Sequence, residues 1–245
     1  MSEPLTLSVN GQIFGGWTDM VINRSLDSIA GEFDLTVTAQ WSDAAPRTIK
    51  PGMPCSVDIG PDRVLTGYID DFIPSYDATS VSLRVLGRDK TGDLVDSSVV
   101  DKSGQWRGQK LEQIAATICK PYGVQVITET DTGDTFSNIT LEQGETGFEL
   151  LDRMAKQRGV LMTSDAWREN NDSGSLWQTN KLVQVEDTIQ QLNVIWLIKT
   201  VSFSEGDNGR LTVLSLVPPE SMDMPAENTK RKKGKKGTEV GVTWD

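Results

Sequence analysis

The sequence predicts a mainly β fold of the α+β class, with two similar tube-like antiparallel β-barrel modules and a small α/β insert between them. Short runs of alternating apolar residues are separated by Gly, Asn and Asp, which is typical of antiparallel hairpins. The same order of strands and turns occurs first in residues 54–85 and again in residues 183–213. In this alignment Phe72 corresponds to Phe203. Unrelated meanders can share such a pattern, so the pattern alone leaves open whether the module is duplicated.

The first module is predicted around the segment from Glu32 to Trp41. Its inward-facing residues are apolar and alternate with polar ones: Phe33, Leu35, Val37, Ala39 and Trp41. Neighbouring strands are expected at Leu5 to Val9, at Ile13 and Phe14, and within Trp17 to Leu26, with a hairpin turn at Asn10 and Gly11. The charged stretch 87–93 is expected to be an exposed loop that leads out of this module.

The insert is predicted to hold two helices. Between Gly108 and Tyr122 the apolar residues recur at helical spacing: Leu111, Ile114, Ala115 and Ile118. A short strand is expected at Val124, Val126 and Ile127, and the acidic run 131–134 is expected to be a surface loop. The second helix opens with a capping box of Thr146 and Glu149 and ends at Gly159.

These patterns divide the chain into four segments. Residues 1–102 form the first β-barrel module, 103–165 the α/β insert, 166–220 a second β module that neighbouring segments could complete, and 221–245 a flexible basic tail. Of the 245 residues, 37% are hydrophobic, which is enough for a sizeable core. The sequence shows neither an apolar run long enough for a membrane span nor a signal peptide, and we expect synthesis in a cytoplasm. The two cysteines, Cys55 and Cys119, are expected in the core.

Composition argues against an enzyme. The chain has no histidine, which excludes Ser-His and Cys-His nucleophiles, and two separated cysteines cannot build a zinc site. No metal, cofactor or catalytic residue is expected. Glu142, Glu145 and Glu149 invite comparison with a glycosidase carboxylate pair, but acids at the start of a helix are better explained by its dipole.

Charge is distributed unevenly along the chain, whose net charge is -11. Residues 225–245 carry +3, and the remaining residues, with 18 basic and 32 acidic side chains, carry -14. A body this acidic repels DNA, which argues against a nucleic-acid reader. The basic run is interpreted either as a solvated extension or as a docking segment for an acidic neighbour. Its candidate partner-binding residues are Lys230, Arg231, Lys232, Lys233, Lys235 and Lys236.

Several longer blocks are distinctive, at residues 118–124 (ICKPYGV), 144–151 (GETGFELL), 155–161 (AKQRGVL), 174–183 (GSLWQTNKLV) and 214–220 (LSLVPPE). Together they resemble one known family, the phage Mu-like baseplate hub proteins of contractile tails. The likeness covers most of Leu5 to Glu220. One departure is that Leu161 to Asp165 runs almost directly into Ala166, where family members usually carry a longer segment.

The resemblance implies a structural role. It implies a homotrimer in which each subunit supplies two tube-like barrels, giving a pseudo-sixfold ring between a hexameric tail tube and a trimeric spike. Such a hub would surround the DNA channel in the virion tail without binding the passing DNA specifically. It would also meet baseplate wedge and tape-measure proteins and would not insert into a membrane. Two alternatives remain: the hub of a tail-like bacteriocin or secretion machine, and a tail enzyme that degrades the cell wall.

Overall fold

The computed structural model describes residues 4–38, 49–76, 81–99, 103–164, 176–187, 192–206 and 209–222. Within these residues the chain forms one large antiparallel sheet and a smaller helical unit. The strands are β1 (Leu5–Val9), β2 (Gln12–Phe14), β3 (Asp19–Ser25), β4 (Ser28–Thr38), β5 (Pro54–Ile59), β6 (Asp62–Tyr76), β7 (Val81–Asp89), β8 (Gln105–Trp106), β9 (Ile139–Thr140), β10 (Leu182–Asp187), β11 (Leu192–Gly206) and β12 (Gly209–Val217). The helices are α1 (Gly92–Asp96), α2 (Leu111–Cys119) and α3 (Gly147–Arg158).

The first part of the sheet has the strand order β2-β1-β5-β6-β7-β4-β3. Its strands alternate buried apolar and exposed polar residues, as in β4, where Phe33, Leu35 and Val37 are buried. The hairpin between β1 and β2 turns at Asn10 and Gly11, both with positive φ. These inward residues form the first core, which confirms the predicted strands and turn at the start of the chain.

The helical unit has a core of its own. Apolar residues of α1, α2 and α3 pack together with Trp106 and Ile139 from the short pair β8 and β9. Helix α3 has the expected capping box, since the amide of Glu149 donates to Thr146 Oγ1 and the Thr146 amide donates to Glu149 Oε2. It ends at Gly159, which adopts the left-handed conformation.

The chain returns to the large sheet after the helical unit. Strands β10, β11 and β12 form a meander, and the second half of β11 pairs with β3 of the first part. The mainly β fold with a small helical insert is therefore confirmed. Within the described residues the second copy consists of three strands, and the strand pairs do not show a closed barrel.

Two local predictions were wrong. Residues 87–93 are not an exposed loop, because 87–89 end β7, α1 begins at Gly92, and Asp89 and Thr91 are buried. Residues 124–127 form no strand, because no described strand lies beside them to complete a hydrogen-bonded ladder. Val124 and Val126 instead pack as half-buried side chains against the core of the helical unit.

Candidate assembly surface

The second meander repeats the first strand for strand. Strands β5, β6 and β7 contain 6, 15 and 9 residues, and β10, β11 and β12 contain 6, 15 and 9 residues. In both copies the first strand pairs with the early part of the long strand, and the third strand pairs with its later part. The structure therefore supports an internal repeat more strongly than the sequence pattern did.

A matching bulge fixes the alignment of the two copies. The register between β6 and β7 skips Asp70, and the register between β11 and β12 skips Lys199, 129 positions later. The same offset aligns β7 with β12 residue by residue, since Gly87 pairs with Ile69 as Leu216 pairs with Ile198. The proposed equivalence of Phe72 and Phe203 was wrong by two positions. Sequence similarity between two aromatic residues does not reveal a β-bulge. A bulge is visible only in the hydrogen-bonded pairing of the strands.

The two copies differ in what covers their edges. Residues Thr200–Glu205 of β11 pair with β12 on one edge and with β3 on the other. The equivalent stretch of β6, residues 71–76, pairs with β7 on one edge, but no described strand pairs with its other edge. Likewise, β4 covers the outer edge of β7, whereas no described strand covers the outer edge of β12. We call residues 71–76 the β6 edge and residues 211–217 the β12 edge. Unpaired backbone groups on such edges accept added strands readily.

Exposed apolar side chains lie at both edges. Ile73 on the β6 edge is 43% exposed, and Leu211 and Val213 on the β12 edge are 61% and 50% exposed. Leu211 lies opposite Ser204, and Ser204 lies opposite Val21. Residues opposite one another in a sheet point to the same face, so these three side chains stand on one outer face of the sheet. Apolar groups gathered at open strand edges are typical of surfaces that become buried on assembly.

A buried polar cluster lies where β3, β4 and β7 meet the segment that leaves α3. Asp89 accepts from the amides of Gly31 at 2.9 Å and Thr91 at 3.0 Å, and from Ser164 Oγ at 3.3 Å. Arg24 Nη2 lies 3.5 Å from the same carboxylate, and Arg24 Nη1 donates to the Ser164 carbonyl at 3.3 Å. We call these five residues the junction cluster. It ties the first module to the segment that leads towards the second.

Sequence reasoning missed the junction cluster. The available signal was Arg24, which occupies an inward position of β3 in alternation with the buried Met20 and Ile22. A charged residue at an inward position requires a buried partner. The partner, Asp89, lies 65 residues away and within the stretch that was expected to be an exposed loop.

The three glutamates near α3 have structural partners. Glu149 caps the helix, and Glu145 accepts from Arg153 Nε at 2.8 Å and from the amide of Glu142 at 2.9 Å. Burial alone would raise the pKa of Glu145, but the hydrogen bonds from Arg153 and from the amide of Glu142 lower it overall. A general acid requires a raised pKa, and the shift is in the opposite direction. The described residues also contain no cluster of acidic and cysteine side chains that could hold a metal ion.

Three family models match the chain, and the second and third overlap at residues 140–167. They are the N-terminal domain of Mu phage baseplate assembly protein GpP-like proteins at residues 4–89, the second domain of baseplate hub protein gp44-like proteins at 91–167, and the fourth domain of GpP at 140–225. Among solved structures, the 43 kDa tail protein of prophage MuSo2 from Shewanella oneidensis is 35% identical with a TM-score of 0.83. The match covers 93% of this chain and all of that one. The chain belongs to the Mu-like baseplate hub family.

One curated relative agrees with this membership, and one distant solved structure shares the fold. The baseplate hub protein gp44 of Escherichia phage Mu is 41% identical over 173 residues, which are 68% of this chain and 44% of that protein. This chain therefore matches less than half the length of that relative. An Escherichia coli component of the type VI secretion system shares the fold, with a TM-score of 0.61 at 12% identity over 91% of this chain and 79% of that one.

Membership in the hub family confirms the expected resemblance. The relatives that match the chain are baseplate hub and tail proteins, and none of them is described as an enzyme. No helix among the described residues of this hub is long and apolar enough to cross a membrane. The six basic residues at 230–236 that were predicted to bind a partner lie outside the described residues, so their role stays a prediction.

Proposed function

We propose that three copies of this hub protein form a ring with pseudo-sixfold symmetry that joins a hexameric tail tube to a trimeric spike. A sixfold tube and a threefold spike cannot share one repeating contact. A subunit with two equivalent modules resolves the mismatch, because three copies offer six similar sites while unlike features keep threefold order. The repeat, in which the second and third strands match in register around the bulges at Asp70 and Lys199, is the observation that carries this proposal.

The edges of the two meanders support a ring in which modules alternate. Within one chain, β3 covers the later part of β11, and this contact joins the first module to the second. If modules follow one another around an axis, the equivalent β6 edge meets a neighbouring copy. Pro74 lies in this edge and has no backbone N–H, which limits indiscriminate pairing by a free subunit. Burial of Ile73 would give such an interface an apolar centre.

The charge of the hub suits a channel for DNA. The body carries -14, and like charge keeps a passing polyanion from adhering to the wall. We place the protein in the tail baseplate of a virion assembled in the host cytoplasm. Its partners would be the spike, the tail tube, and the baseplate wedge and tape-measure proteins. The basic residues at 230–236 would dock onto an acidic surface of one of these partners.

The assembly state tests the proposal. The purified full chain with its spike partner should contain hub subunits in multiples of three, each of 26.9 kDa, when measured by native mass spectrometry. Ile73→Lys should weaken the trimer, because it places a charge in the centre of the proposed interface. Ile13→Lys is the matched control, since Ile13 is 74% exposed on β2, the last strand of the sheet, which lies three strands away from β6. A monomer under all conditions, or equal effects of both variants, would contradict the proposal.

A secretion machine is the second candidate, favoured by the shared fold of the type VI secretion component. Both machines need the same adaptor between sixfold and threefold parts, and they differ in whether a genome passes through the channel. Particles that contain this hub should therefore be purified and tested for packaged DNA. Packaged DNA would support the phage tail, and particles without a capsid or DNA would support the alternative.

A further inference from the structure

Among the described residues, no strand lies on the β12 edge, whereas β4 lies on the equivalent edge of the first copy. In the first copy, residues Glu32–Thr38 of β4 pair with Arg88–Ser82 of β7. The offset of 129 places this contact at residues 217–211 of β12 in the second copy. The half-buried Leu214 and Leu216 and the exposed Leu211 and Val213 lie along this stretch. The missing neighbour would be an antiparallel strand of seven residues.

We propose that residues 239–245 of the same chain add to the β12 edge as that strand and take the place of β4. These residues lie outside the described part of the chain, and the proposal rests on their sequence. The two segments are Glu-Phe-Asp-Leu-Thr-Val-Thr at 32–38 and Glu-Val-Gly-Val-Thr-Trp-Asp at 239–245. Both begin with Glu, both have Thr at the fifth position, and both have apolar residues at the second, fourth and sixth positions. This alternation is what a strand with one buried face requires.

The proposed strand pair divides side-chain volume between its two strands differently from the pair in the first copy. In the first copy the ring of Phe33 fills the space over Gly87, where a Cβ atom would lie 2.5 Å from it. In the second copy the position of Gly87 is taken by Leu216, and the proposed partner is the smaller Val240. The large Phe33 opposite Gly87 is thus replaced by Val240 opposite Leu216, two residues of intermediate size. This exchange conserves the side-chain volume between the two strands. Since volume-conserving exchanges are tolerated best in cores, this pairing is physically consistent.

The chain can make this connection as a long hairpin. The proposed strand runs antiparallel to β12, so Glu239 lies beside Val217, and residues 218–238 link two strands about 5 Å apart. Twenty-one residues can span up to about 70 Å when fully extended, so they are long enough to close the gap. The linker contains the basic residues at 230–236. Strand addition would therefore hold them in one loop beside the end of β12.

The inference rests on the internal repeat and not on ring formation. A chain that stayed monomeric could still add residues 239–245 to its β12 edge, and a trimer could form without that strand. The two proposals therefore fail separately.

Paired cysteines test the proposed register in the full-length chain. Val213 lies opposite Thr243, and both side chains would stand on the exposed face, so Val213→Cys with Thr243→Cys should form a disulfide under mild oxidation. The control pairs Val213→Cys with Glu239→Cys, which lies about 13 Å further along the strand. The first pair should bond at least about tenfold faster than the control, because only it approaches disulfide geometry. Peptide mass mapping identifies the bond, and a non-reducing gel shows whether it lies within one chain.

A second measurement avoids new cysteines. Amide hydrogen exchange in residues 209–217 should be at least about tenfold faster in Val242→Asp than in the unchanged chain, because the buried face of the added strand is lost. Thr243→Ser, on the opposite face of the same strand, should leave the exchange unchanged. Equal disulfide rates for the two cysteine pairs, bonds only between chains, or equal exchange in Val242→Asp would each overturn the inference.

Discussion

Asp89→Ala should destabilise the hub more than any exposed ion pair could. Asp89 is 5% exposed and accepts from four residues of the junction cluster, Arg24, Gly31, Thr91 and Ser164. Removal of the carboxylate leaves the Arg24 charge buried without its counter-ion and leaves the amides of Gly31 and Thr91 without their acceptor. Breaking a buried ion pair by removing one partner costs about 3–5 kcal/mol. Against a total stability of about 5–15 kcal/mol, this is a large fraction.

Urea unfolding followed by tryptophan fluorescence measures this loss as a change in the free energy of unfolding. Asp58→Ala is the matched control, since Asp58 pairs with Arg63 at 2.9 Å and the Arg63 side chain is 57% exposed. The control should lose less than about 1 kcal/mol. Hydrogen exchange near Ser164 should also rise in Asp89→Ala and not in the control, because the cluster anchors that segment. If Asp89→Ala cost no more than the control, the role assigned to the junction cluster would be refuted.

Three further predictions concern packing, pH and thiol chemistry. Gly87→Ala should lower the free energy of unfolding by about 1–3 kcal/mol or more, because the added Cβ would lie 2.5 Å from the ring of Phe33. Equal urea midpoints for the variant and the unchanged chain would contradict this. The lowered pKa of Glu145 gives stability that is present above its unfolded-state pKa of about 4.3 and is lost as pH falls through its folded pKa. Glu145→Gln should therefore flatten acid unfolding curves, and unchanged curves would exclude this contribution. Burial raises the pKa of Cys55 to about 12 and that of Cys119 to about 11. A thiol reagent at neutral pH should therefore label both cysteines only after unfolding. Rapid labelling of the native chain would contradict this.

Elements fixed by neighbouring residues were predicted well. The hairpin at Asn10 and Gly11 requires positive φ, and the capping box of Thr146 and Glu149 lies within one turn of helix. The alternation in β4 predicted its buried face for the same reason, because side chains alternate along any strand. Each of these signals is local and needs no knowledge of the tertiary structure.

Features that depend on distant partners were not predicted. Val124 and Val126 have strand-like sequence but no strand beside them, and Asp89 lies in a charged stretch yet is buried by contacts from three other segments. The strand pattern in both meanders was visible from sequence, but the bulges that align them were not. A bulge is a property of the pairing between strands, so the equivalence of Phe72 with Val201 became evident only from the register.

Open edges were equally invisible to sequence reasoning. The sequence predicted two similar barrel modules, the second of which neighbouring segments could complete, and the described residues of the second copy form three strands. The difference lies in the strands that flank the meander in the first copy. The surfaces that a neighbouring copy or segment would cover are the β6 edge and the β12 edge.

Rotationally averaged electron micrographs of the purified hub with its spike partner test the central claim most directly. Two equivalent modules per chain predict a ring with a central hole and six similar lobes, in which alternate lobes differ slightly and exact symmetry is threefold. Particles with three lobes, with no hole, or with the two modules at different distances from the axis would contradict the claim that the internal repeat lets three subunits match a sixfold tube.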